Sequence, residues 1–428
     1  MKDIREGIFY HIYPIGFCSA PEKNMGEPPV NRIEKVEKWI PHMKNLGVNC
    51  IYFGPVFESG LHGYDTHDYR KIDTRLGTSE DFAKVCRALR NEGFHIILDG
   101  VFNHVGRGFF AFEDLLKNRE NSQYRDWFSG LDFGRNNSYG DGFRYDSWAG
   151  YESLVKLNLR NPQVKNYLLD SVKMWMEDFG IEGLRLDAAD VIDHDFFRDL
   201  RRVTAEKDPD FWLMGEIIHG NYCVWVNDEM LHSVTNYECY KGIHSSITSK
   251  NLFEIMSSLD RQNGPWGLYK NMALYNFLDN HDVNRIASVL KNHRENLKNA
   301  YTILFTMPGV PSIYYGSEWG ITGEKANHSD LPLRPAIDVE NPEIVDADLM
   351  EHIKMLAKER LSSKALMKGS FERLNTQNEI FAFGRSFEEE NAVVFVNIAS
   401  EQKTLSADFK GRHFEETLAP YTSKIVKF

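Results

Sequence analysis

Short apolar runs recur along the chain and alternate with amphipathic stretches. Eight runs have the composition of β-strands, at 8–13, 49–53, 94–99, 182–187, 211–216, 231–235, 273–279 and 311–315. Helical periodicity occupies most of the intervals, over 31–46, 79–92, 162–179, 194–206, 245–260, 285–306 and 347–363. Strands that alternate with helices are typical of parallel βα units. Nearly continuous apolar strands indicate a parallel sheet that is covered on both faces.

Two intervals depart from this alternation. Residues 105–160, after the third run, are polar, aromatic and rich in Gly and Asn, which predicts a subdomain inserted into the main unit. From 366 to 428 the helical pattern stops and apolar and polar residues alternate, which predicts a small antiparallel β domain resembling a sandwich. The main unit then comprises 1–104 and 161–365.

The main unit is predicted to be a (β/α)8 TIM barrel of the α/β class. Eight βα units need about 250 residues, and the main unit supplies them. A doubly wound open sheet is the competing assignment. That fold usually carries a Gly-rich phosphate-binding turn after its first strand, and neither G-x-G-x-x-G nor G-x-x-x-x-G-K-[ST] occurs in the chain.

Composition narrows the classes of partner and compartment. The chain has 62 acidic and 50 basic residues and a net charge of −12, which argues against a nucleic-acid partner. No apolar run approaches the about 20 residues of a membrane span, and the N-terminal sequence does not resemble a signal peptide. The five cysteines are widely spaced without C-x-x-C, which predicts buried thiols and a cytoplasmic location.

Acidic residues end several of the apolar runs. Asp99, Asp187 and Glu216 each follow or close a run, and the run at 273–279 leads into the Asp279–Asp282 segment. In a parallel barrel the C-terminal ends of all strands face one mouth, where active sites are found. One such acid alone more often caps the following helix. The group together predicts a catalytic centre.

Arg185, Asp187 and Glu216 suggest what this centre does. Residues 185 and 187 point to the same side of a strand, so the guanidinium would keep the Asp187 carboxylate ionised. A structural ion pair is the alternative reading. Glu216 follows the apolar FWLMG, a setting that raises the pKa of a carboxyl group. An ionised and a protonated carboxyl close together are the pair that cleaves glycosidic bonds.

Other chemistries find little support in the sequence. No H-E-x-x-H motif, paired cysteines or G-x-S-x-G elbow is present. A metal cluster is conceivable where His62 and His67 lie near Asp65 and Asp68. The resemblance described next accounts for that segment without a metal.

Several motifs resemble those of the α-amylase family of barrel glycoside hydrolases. DGVFNH (99–104), GLRLDAADV (183–191), GEI (215–217) and FLDNHD (277–282) are similar, in order and spacing, to its four motif regions. FYHIYPIGF (9–17), HGYDTHDYRKID (62–73) and PGVPSIYYGSEWG (308–320) are similar to its first strand, its G-Y-D-x-x-D-Y segment and its eighth strand.

The resemblance implies roles for particular residues. It implies that Asp187 is the nucleophile, that Glu216 is the general acid and base, and that Asp282 stabilises the distorted transition state. It further implies contacts with the sugar from His104, Arg185 and His281, stacking by Tyr64, and a supporting role for Asp99. Asp330 and Arg334 match part of a segment that binds a donor-side sugar.

Within the family, LVKLN (154–158) is similar to a motif of cyclomaltodextrinases, neopullulanases and maltogenic amylases. The extra N-terminal β domain of that subgroup is expected to be absent, because barrel-like sequence begins near residue 8. No metal and no cofactor is expected. Calcium is known in the family and Asn103 matches one of its ligands, but the sequence offers no clear cluster of further ligands.

The predicted function is hydrolysis, with retention of configuration, of α-1,4 bonds in maltooligosaccharides and related short α-glucans, with cyclodextrins as further candidates. The alternatives are a 4-α-glucanotransferase or another transglycosylase and, more remotely, an inactive carbohydrate-binding relative. The expected partner is an α-glucan oligosaccharide, with no nucleic acid and no membrane, and the protein is expected to be a monomer or homodimer.

Overall fold

Eight parallel strands form a closed barrel in the computed structural model, which describes residues 3–326 and 329–428. The barrel strands, numbered first to eighth in chain order, are Phe9–Ile12, Cys50–Phe53, His95–Gly100, Gly183–Leu186, Trp212–Gly215, Ser233–Val234, Tyr275–Phe277 and Val310–Tyr314. Each strand pairs with its neighbours in chain order, and the first pairs with the eighth. A parallel bridge from Thr235 to Tyr275 joins the sixth and seventh strands, which closes the ring. The predicted fold class is therefore confirmed.

Amphipathic helices surround the barrel and bury one apolar stripe each against it. The longer ones are Lys35–Leu46, Ser79–Asn91, Pro162–Asp178, His194–Lys207, Tyr237–Ser249, Phe253–Asn263, Arg294–Thr306 and Ala347–Leu361. Shorter α-helices are Pro14–Phe17, Phe110–Asn118, Ile286–Val289 and Lys364–Lys368. Single turns of 3-10 helix lie at Ile4–Glu6, Arg119–Asn121, Arg125–Trp127, Ala189–Val191, Tyr222–Val224, Ser317–Trp319 and Leu331–Leu333.

Two predicted helices were wrong in their extent. The helix predicted over 245–260 is the end of one helix and the start of another, separated at Lys250, whose φ is 55°. The helix predicted over 285–306 is broken where Lys291 and Asn292 have φ values of 53° and 57°. Left-handed residues end a helix, but neither site is marked by the Gly or Pro that would have shown the break in the sequence.

The segments that follow the second and third strands rise above the mouth of the barrel. After the second strand, Phe57–Ser59 and Thr66–Ile72 form an antiparallel pair whose connection contains Tyr64. After the third strand, His104–Gly106, Tyr151–Lys156 and Ser147–Trp148 form a three-stranded sheet, in that order. This sheet and the helix Phe110–Asn118 lie within the predicted insertion or at its edge.

The C-terminal strands form two antiparallel layers. Ser370–Thr376, Ile380–Phe387, Glu390–Asn397 and Ser423–Lys427 make one sheet, and Lys403–Phe409 pairs with Arg412–Leu418 in the other. Buried side chains from both layers, including Phe395 and Leu405, pack together in one apolar cluster. The exact domain boundaries stay a prediction.

Burial also tests the interpretation of the cysteines. Cys18, Cys50, Cys86 and Cys239 are buried thiols, as expected. Cys223 is exposed in the short turn Tyr222–Val224 after the fifth strand, so the prediction was wrong there. Across residues 3–326 and 329–428, none of the helices combines the length and the apolar character that a membrane crossing requires.

Candidate active site

The pairing of neighbouring strands places the predicted residues around the mouth. Asp99 on the third strand lies directly beside Arg185 on the fourth. The ladder continues past the strand ends, where the Asp187 amide donates to the Gly100 carbonyl at 3.1 Å and the Glu216 amide donates to the Leu186 carbonyl at 2.9 Å. Backbone hydrogen bonds therefore hold Asp99, Asp187 and Glu216 at the ends of three adjacent strands, with Asp187 two residues further toward the mouth than the position opposite Asp99.

Arg185 joins these three carboxylates. Its Nη1 donates to Asp99 Oδ1 and to Asp187 Oδ1, both at 3.0 Å, and its Nη2 lies 2.9 Å from Glu216 Oε1. The Arg185 side chain is only 3% exposed. A buried guanidinium with three carboxylates on its outer nitrogens fixes their relative position by charge-assisted hydrogen bonds.

The backbone after Asp187 adds a second link to Glu216. The Ala188 amide donates to Glu216 Oε2 at 3.1 Å. Ala188 has the left-handed values φ 45° and ψ 44°. A non-glycine residue in this region carries backbone strain, which is concentrated at functional sites. The strained turn directs its amide at the acid.

The electrostatics of Asp187 differ from the sequence-based expectation. Burial raises the pKa of the Asp187 carboxyl well above its ordinary value; Arg185 opposes the rise, while Glu216, Asp99 and Asp282 add to it. Burial likewise raises the pKa of Glu216, as expected. The sequence predicted that Arg185 keeps Asp187 ionised. In the structure Arg185 contacts three carboxylates, so its charge is shared among them.

Asp282 is held at the opposite side of the mouth by His281 and Arg334. His281 Nε2 lies 3.0 Å from Asp282 Oδ2, and Arg334 Nη2 donates to Asp282 Oδ1 at 3.1 Å. Burial alone would raise the pKa of this carboxyl, but His281, Arg334 and Arg185 hold it well below its usual range. Arg334 also donates to Asp330 Oδ2 at 3.2 Å. The structure thus brings Asp330 and Arg334, which are four residues apart in the sequence, to the distant Asp282.

Tyr64 connects the two sides of the site. Its hydroxyl donates to Asp99 Oδ2 at 3.0 Å and contacts His281 Nε2, and its ring is parallel to that of His281 with centroids 5.4 Å apart. Tyr52 on the second strand donates to the same Asp99 oxygen at 2.8 Å. Asp99 therefore accepts from Arg185, Tyr52 and Tyr64, as a residue that organises the site would. Stacking of Tyr64 on a sugar stays a prediction.

His104 lies beside the predicted nucleophile. Its Nε2 is 3.9 Å from Asp187 Oδ2 and has no hydrogen-bond partner, while Asn103 Nδ2 is 3.2 Å from its Nδ1. Burial lowers the pKa of His104 to about 3, so the ring is neutral near pH 7. A neutral imidazole with a free nitrogen facing the cavity is suited to hydrogen bonding with a ligand hydroxyl.

The residues present do not fit a metal centre. Among the residues that the structure describes, no group of three or more His, Cys, Asp or Glu side chains could hold an ion. His62 and Asp65 are 3.7 Å apart. Asn103 Oδ1 is buried without a partner, but no cluster of carboxylates surrounds it. No chemical step is therefore assigned to a metal, and calcium dependence stays untested.

Sequence reasoning missed two aromatic residues of the site. Tyr13 stacks on His281 with ring centroids 5.7 Å apart, and the Arg334 guanidinium lies over the Tyr13 ring at 4.6 Å. Trp148 has its ring centroid 5.9 Å from that of His104. Tyr13 ends the first apolar run, a position that could have indicated the mouth. No local signal marks Trp148, which arrives through the folding of the insertion.

Comparison with known proteins places this geometry among carbohydrate-active enzymes. The family described as "Alpha amylase, catalytic domain" matches residues 11–366. A cyclomaltodextrinase of Bacillus sp is 30% identical over 416 residues, covering 92% of this chain and 73% of that protein. The intracellular maltogenic amylase of Bacillus subtilis (strain 168) is 30% identical over 418 residues, covering 92% and 68%.

A solved structure matches over nearly the whole length of both chains. The ligand-free cyclic α-maltosyl-(1→6)-maltose hydrolase of Arthrobacter globiformis superposes with a TM-score of 0.87 at 26% identity. The match covers 99% of this chain and 98% of that one. The barrel, the inserted segment and the C-terminal strands therefore occur together in that enzyme as well.

Proposed function

This chain belongs to the α-amylase family of glycoside hydrolases, and on that basis we propose that it cleaves α-1,4-glucosidic bonds of maltooligosaccharides and related short α-glucans with retention of configuration. The observation that carries the proposal is the bridge that Arg185 makes between Asp187 and Glu216. One rigid guanidinium contacts both carboxyls, so they face a common space at the mouth. Two carboxyls close together are the machinery of a retaining glycosidase.

The first half of the reaction forms a covalent intermediate. Arg185, 3.0 Å away, opposes the rise that burial causes in the pKa of Asp187. In its carboxylate form Asp187 attacks the anomeric carbon of the bound glucose unit as the bond from that carbon to the glycosidic oxygen breaks. Glu216 transfers its proton to the departing oxygen, which leaves as the hydroxyl of the shortened glucan. The burial that raises the pKa of Glu216 keeps a proton available for this step.

The second half releases the sugar. Glu216, now ionised, removes a proton from a water molecule whose oxygen attacks the anomeric carbon, and the ester bond to Asp187 breaks. The ionised Asp282, the Arg185 guanidinium and the neutral His104 surround the reacting sugar. The negative charge of the Asp187 and Asp282 carboxylates opposes the positive charge that develops on the ring, while Arg185 and His104 are placed to form hydrogen bonds with its hydroxyl groups.

A sugar hydroxyl in place of water gives the runner-up function. A 4-α-glucanotransferase uses the same intermediate and returns it to a second glucan. The mouth is open, with the Asp282 side chain 34% exposed and that of Asp187 12% exposed, so a second glucan can approach the intermediate in place of water. Transfer is therefore an outcome to be measured beside hydrolysis.

The test is a timed product profile on maltotriose through maltoheptaose, β-cyclodextrin and pullulan. We expect release of reducing sugar from the linear substrates, with the α-anomer formed first, and loss of activity by at least about 10⁴-fold in Asp187→Asn. Asp190→Asn, an exposed Asp three positions further on, is the matched control and should retain activity. Disproportionation with little free glucose would favour transfer, and a first-formed β-anomer would exclude retention.

The cellular setting belongs to the same proposal. A relative at 30% identity is named an intracellular maltogenic amylase, and the described helices include none able to cross a membrane. We therefore propose that the protein works in the cytoplasm on α-glucan oligosaccharides, as a monomer or homodimer, without nucleic acid.

A further inference from the structure

A tight hairpin in the inserted segment carries two aromatic side chains to the mouth of the barrel. Ser147–Trp148 and Tyr151–Lys156 pair antiparallel, and Trp148 is the direct partner of Tyr151. The connection is Ala149-Gly150, with φ values of 47° and 83°. Two residues with positive φ make the type I′ turn typical of two-residue hairpins. Trp148 and Tyr151 are therefore the flanking pair and lie on one face.

The remaining strand of the inserted sheet links the hairpin to the catalytic centre. His104–Gly106 pairs with the other side of Tyr151–Lys156, with His104 opposite Lys156. The hairpin is fastened at its base, since the Lys156 amide donates to the Asp146 carbonyl and the Asp146 amide donates to the Ser129 carbonyl, both at 2.9 Å. The position of the two rings relative to His104 is thus set by a continuous backbone ladder.

Three rings form a row that leads away from Asp187. His104 lies 3.9 Å from Asp187, its ring centroid is 5.9 Å from that of Trp148, and the Trp148 centroid is 5.9 Å from that of Tyr151. The Trp148 and Tyr151 planes are within 21° of parallel. Exposure rises along the row from 1% at His104 to 61% at Tyr151. We name His104, Trp148 and Tyr151 the aromatic row.

The outer end of the row is more exposed than a packing role requires. A cross-strand aromatic pair does stabilise a hairpin. However, Tyr151 is mostly exposed beside the partly exposed Trp148, so the pair has apolar ring surface accessible to a ligand. Flat apolar rings with polar edges suit a sugar, because the axial C–H groups of a glucose unit form an apolar face.

The row lies across the mouth from the other predicted sugar-binding group. It begins after the third strand, whereas Arg334 and Asp330 contact Asp282, which follows the seventh strand. In a closed ring of eight strands the third and seventh strands are opposite each other. A glucan that passes over Asp187 from the Arg334 side therefore leaves the mouth along the aromatic row.

We infer that Trp148 and Tyr151 are specificity-determining residues that stack on successive glucose units of an α-glucan beyond the cleavage point. This inference rests on the proposed action on α-glucans. It makes the preference for longer chains a property of the hairpin, since a short substrate can occupy the catalytic centre without reaching Tyr151. Each ring should contribute up to about tenfold in affinity.

The test compares kinetics on maltotriose and maltoheptaose for Trp148→Ala, Tyr151→Ala and the conservative Trp148→Phe. We expect KM for maltoheptaose to rise about tenfold in Trp148→Ala and by less in Tyr151→Ala, with the loss in KM and not in kcat. The ratio of kcat/KM for maltoheptaose to that for maltotriose should fall in Tyr151→Ala. Trp148→Phe, which keeps a ring, should recover most of the loss.

Trp266→Ala is the matched control. Trp266 is 95% exposed in the loop before the seventh strand, on the N-terminal side of the barrel and away from the mouth. Its removal should leave both KM values unchanged. Equal KM values for Trp148→Ala and the unmodified enzyme, or a change in Tm without a change in KM, would show that the pair only supports the hairpin.

Binding measurements separate this inference from the proposed function. Maltoheptaose and maltotriose are titrated calorimetrically into Glu216→Gln, with and without Tyr151→Ala. Weaker binding of maltoheptaose alone supports the aromatic row. If the unmodified enzyme cleaves maltooligosaccharides but adding Tyr151→Ala to Glu216→Gln changes the affinity for neither sugar, only the aromatic row is refuted. If the unmodified enzyme neither cleaves nor binds them, the proposed function and the row are both refuted.

Discussion

At the mouth of the barrel one buried guanidinium, that of Arg185, faces three carboxylates. Asp99, Asp187 and Glu216 are all within 3.0 Å of its nitrogens. Asp282, a fourth acid at the mouth, is paired separately with Arg334 and contacts His281. The excess of buried acid is useful for catalysis, since it keeps a proton at the site, but it costs stability at neutral pH.

Asp187→Asn should therefore stabilise the protein while it abolishes activity. Burial raises the pKa of Asp187, so above the ordinary carboxyl pKa the folded chain holds more protons there than the unfolded chain. Its contribution to stability consequently falls as the pH rises above about 4. We expect a Tm about 2–4 °C higher in the variant at pH 7, measured by calorimetry.

The pH dependence is the control for that prediction. At pH values near 3.5 the carboxyl is protonated in both folded and unfolded chains, so the advantage of the variant should shrink. The exposed Asp190→Asn should have no advantage at either pH. A lower Tm at pH 7 in Asp187→Asn would contradict the prediction. It would mean that the ion pair with Arg185 stabilises the fold by more than the burial of the Asp187 carboxylate destabilises it.

Among the elements, the helix Ser79–Asn91 shows how local signals specify a start. Thr78 followed by acidic residues is a pattern typical of an N-cap, and the structure has the full capping box. Thr78 Oγ1 accepts from the Asp81 amide at 3.1 Å, and Asp81 Oδ2 accepts from the Thr78 amide at 2.9 Å. These bonds satisfy backbone groups that the helix itself leaves unpaired.

Removal of this cap should be measurable in the whole protein. Thr78→Ala loses both the hydroxyl acceptor and its bond to Asp81, so we expect the free energy of unfolding to fall by about 1 kcal/mol. Urea denaturation measures this change. Thr78→Ser retains the oxygen and should stay close to the unmodified protein. If both variants behave alike, tertiary packing and not the cap decides where the helix begins.

At the scale of the whole molecule, two buried arginines, Arg360 and Arg385, lie at the junction between the barrel and the C-terminal strands. Arg360 donates to the carbonyls of Phe305 and Leu366 at 2.9 and 3.0 Å. Arg385 donates to the Gly369 carbonyl at 2.8 Å and to the carbonyl of Thr306. These hydrogen bonds go to backbone carbonyls, several at helix C-termini, where the partial negative charge favours a cation.

Arg385→Met should consequently weaken the whole molecule rather than the site. Carbonyls at the junction lose a buried donor, so we expect a loss on the order of 3 kcal/mol in stability, seen as a lower Tm. Activity at 25 °C should stay within about twofold. Arg373→Met, an exposed Arg in the strand Ser370–Thr376, is the matched control. A normal Tm for Arg385→Met would show that the junction is held by apolar contacts alone.

The sequence by itself determined the barrel and most of its chemistry. The eight apolar runs all became barrel strands, because strand burial in a parallel sheet leaves a continuous local pattern. Asp99, Asp187 and Glu216 were predictable as neighbours, since the topology of a barrel carries every strand end to one mouth. The breaks at Lys250 and Asn292 were not, because no Gly or Pro marks them.

Tertiary structure alone decided how those groups share charge and what surrounds them. The division of Arg185 among three acids depends on side-chain geometry across two strand pairs, which spacing along a chain does not contain. The same holds for Trp148, which reaches His104 because a separate sheet folds back over the mouth. Local patterns record which side chains face inward, whereas the contacts made there depend on long-range packing.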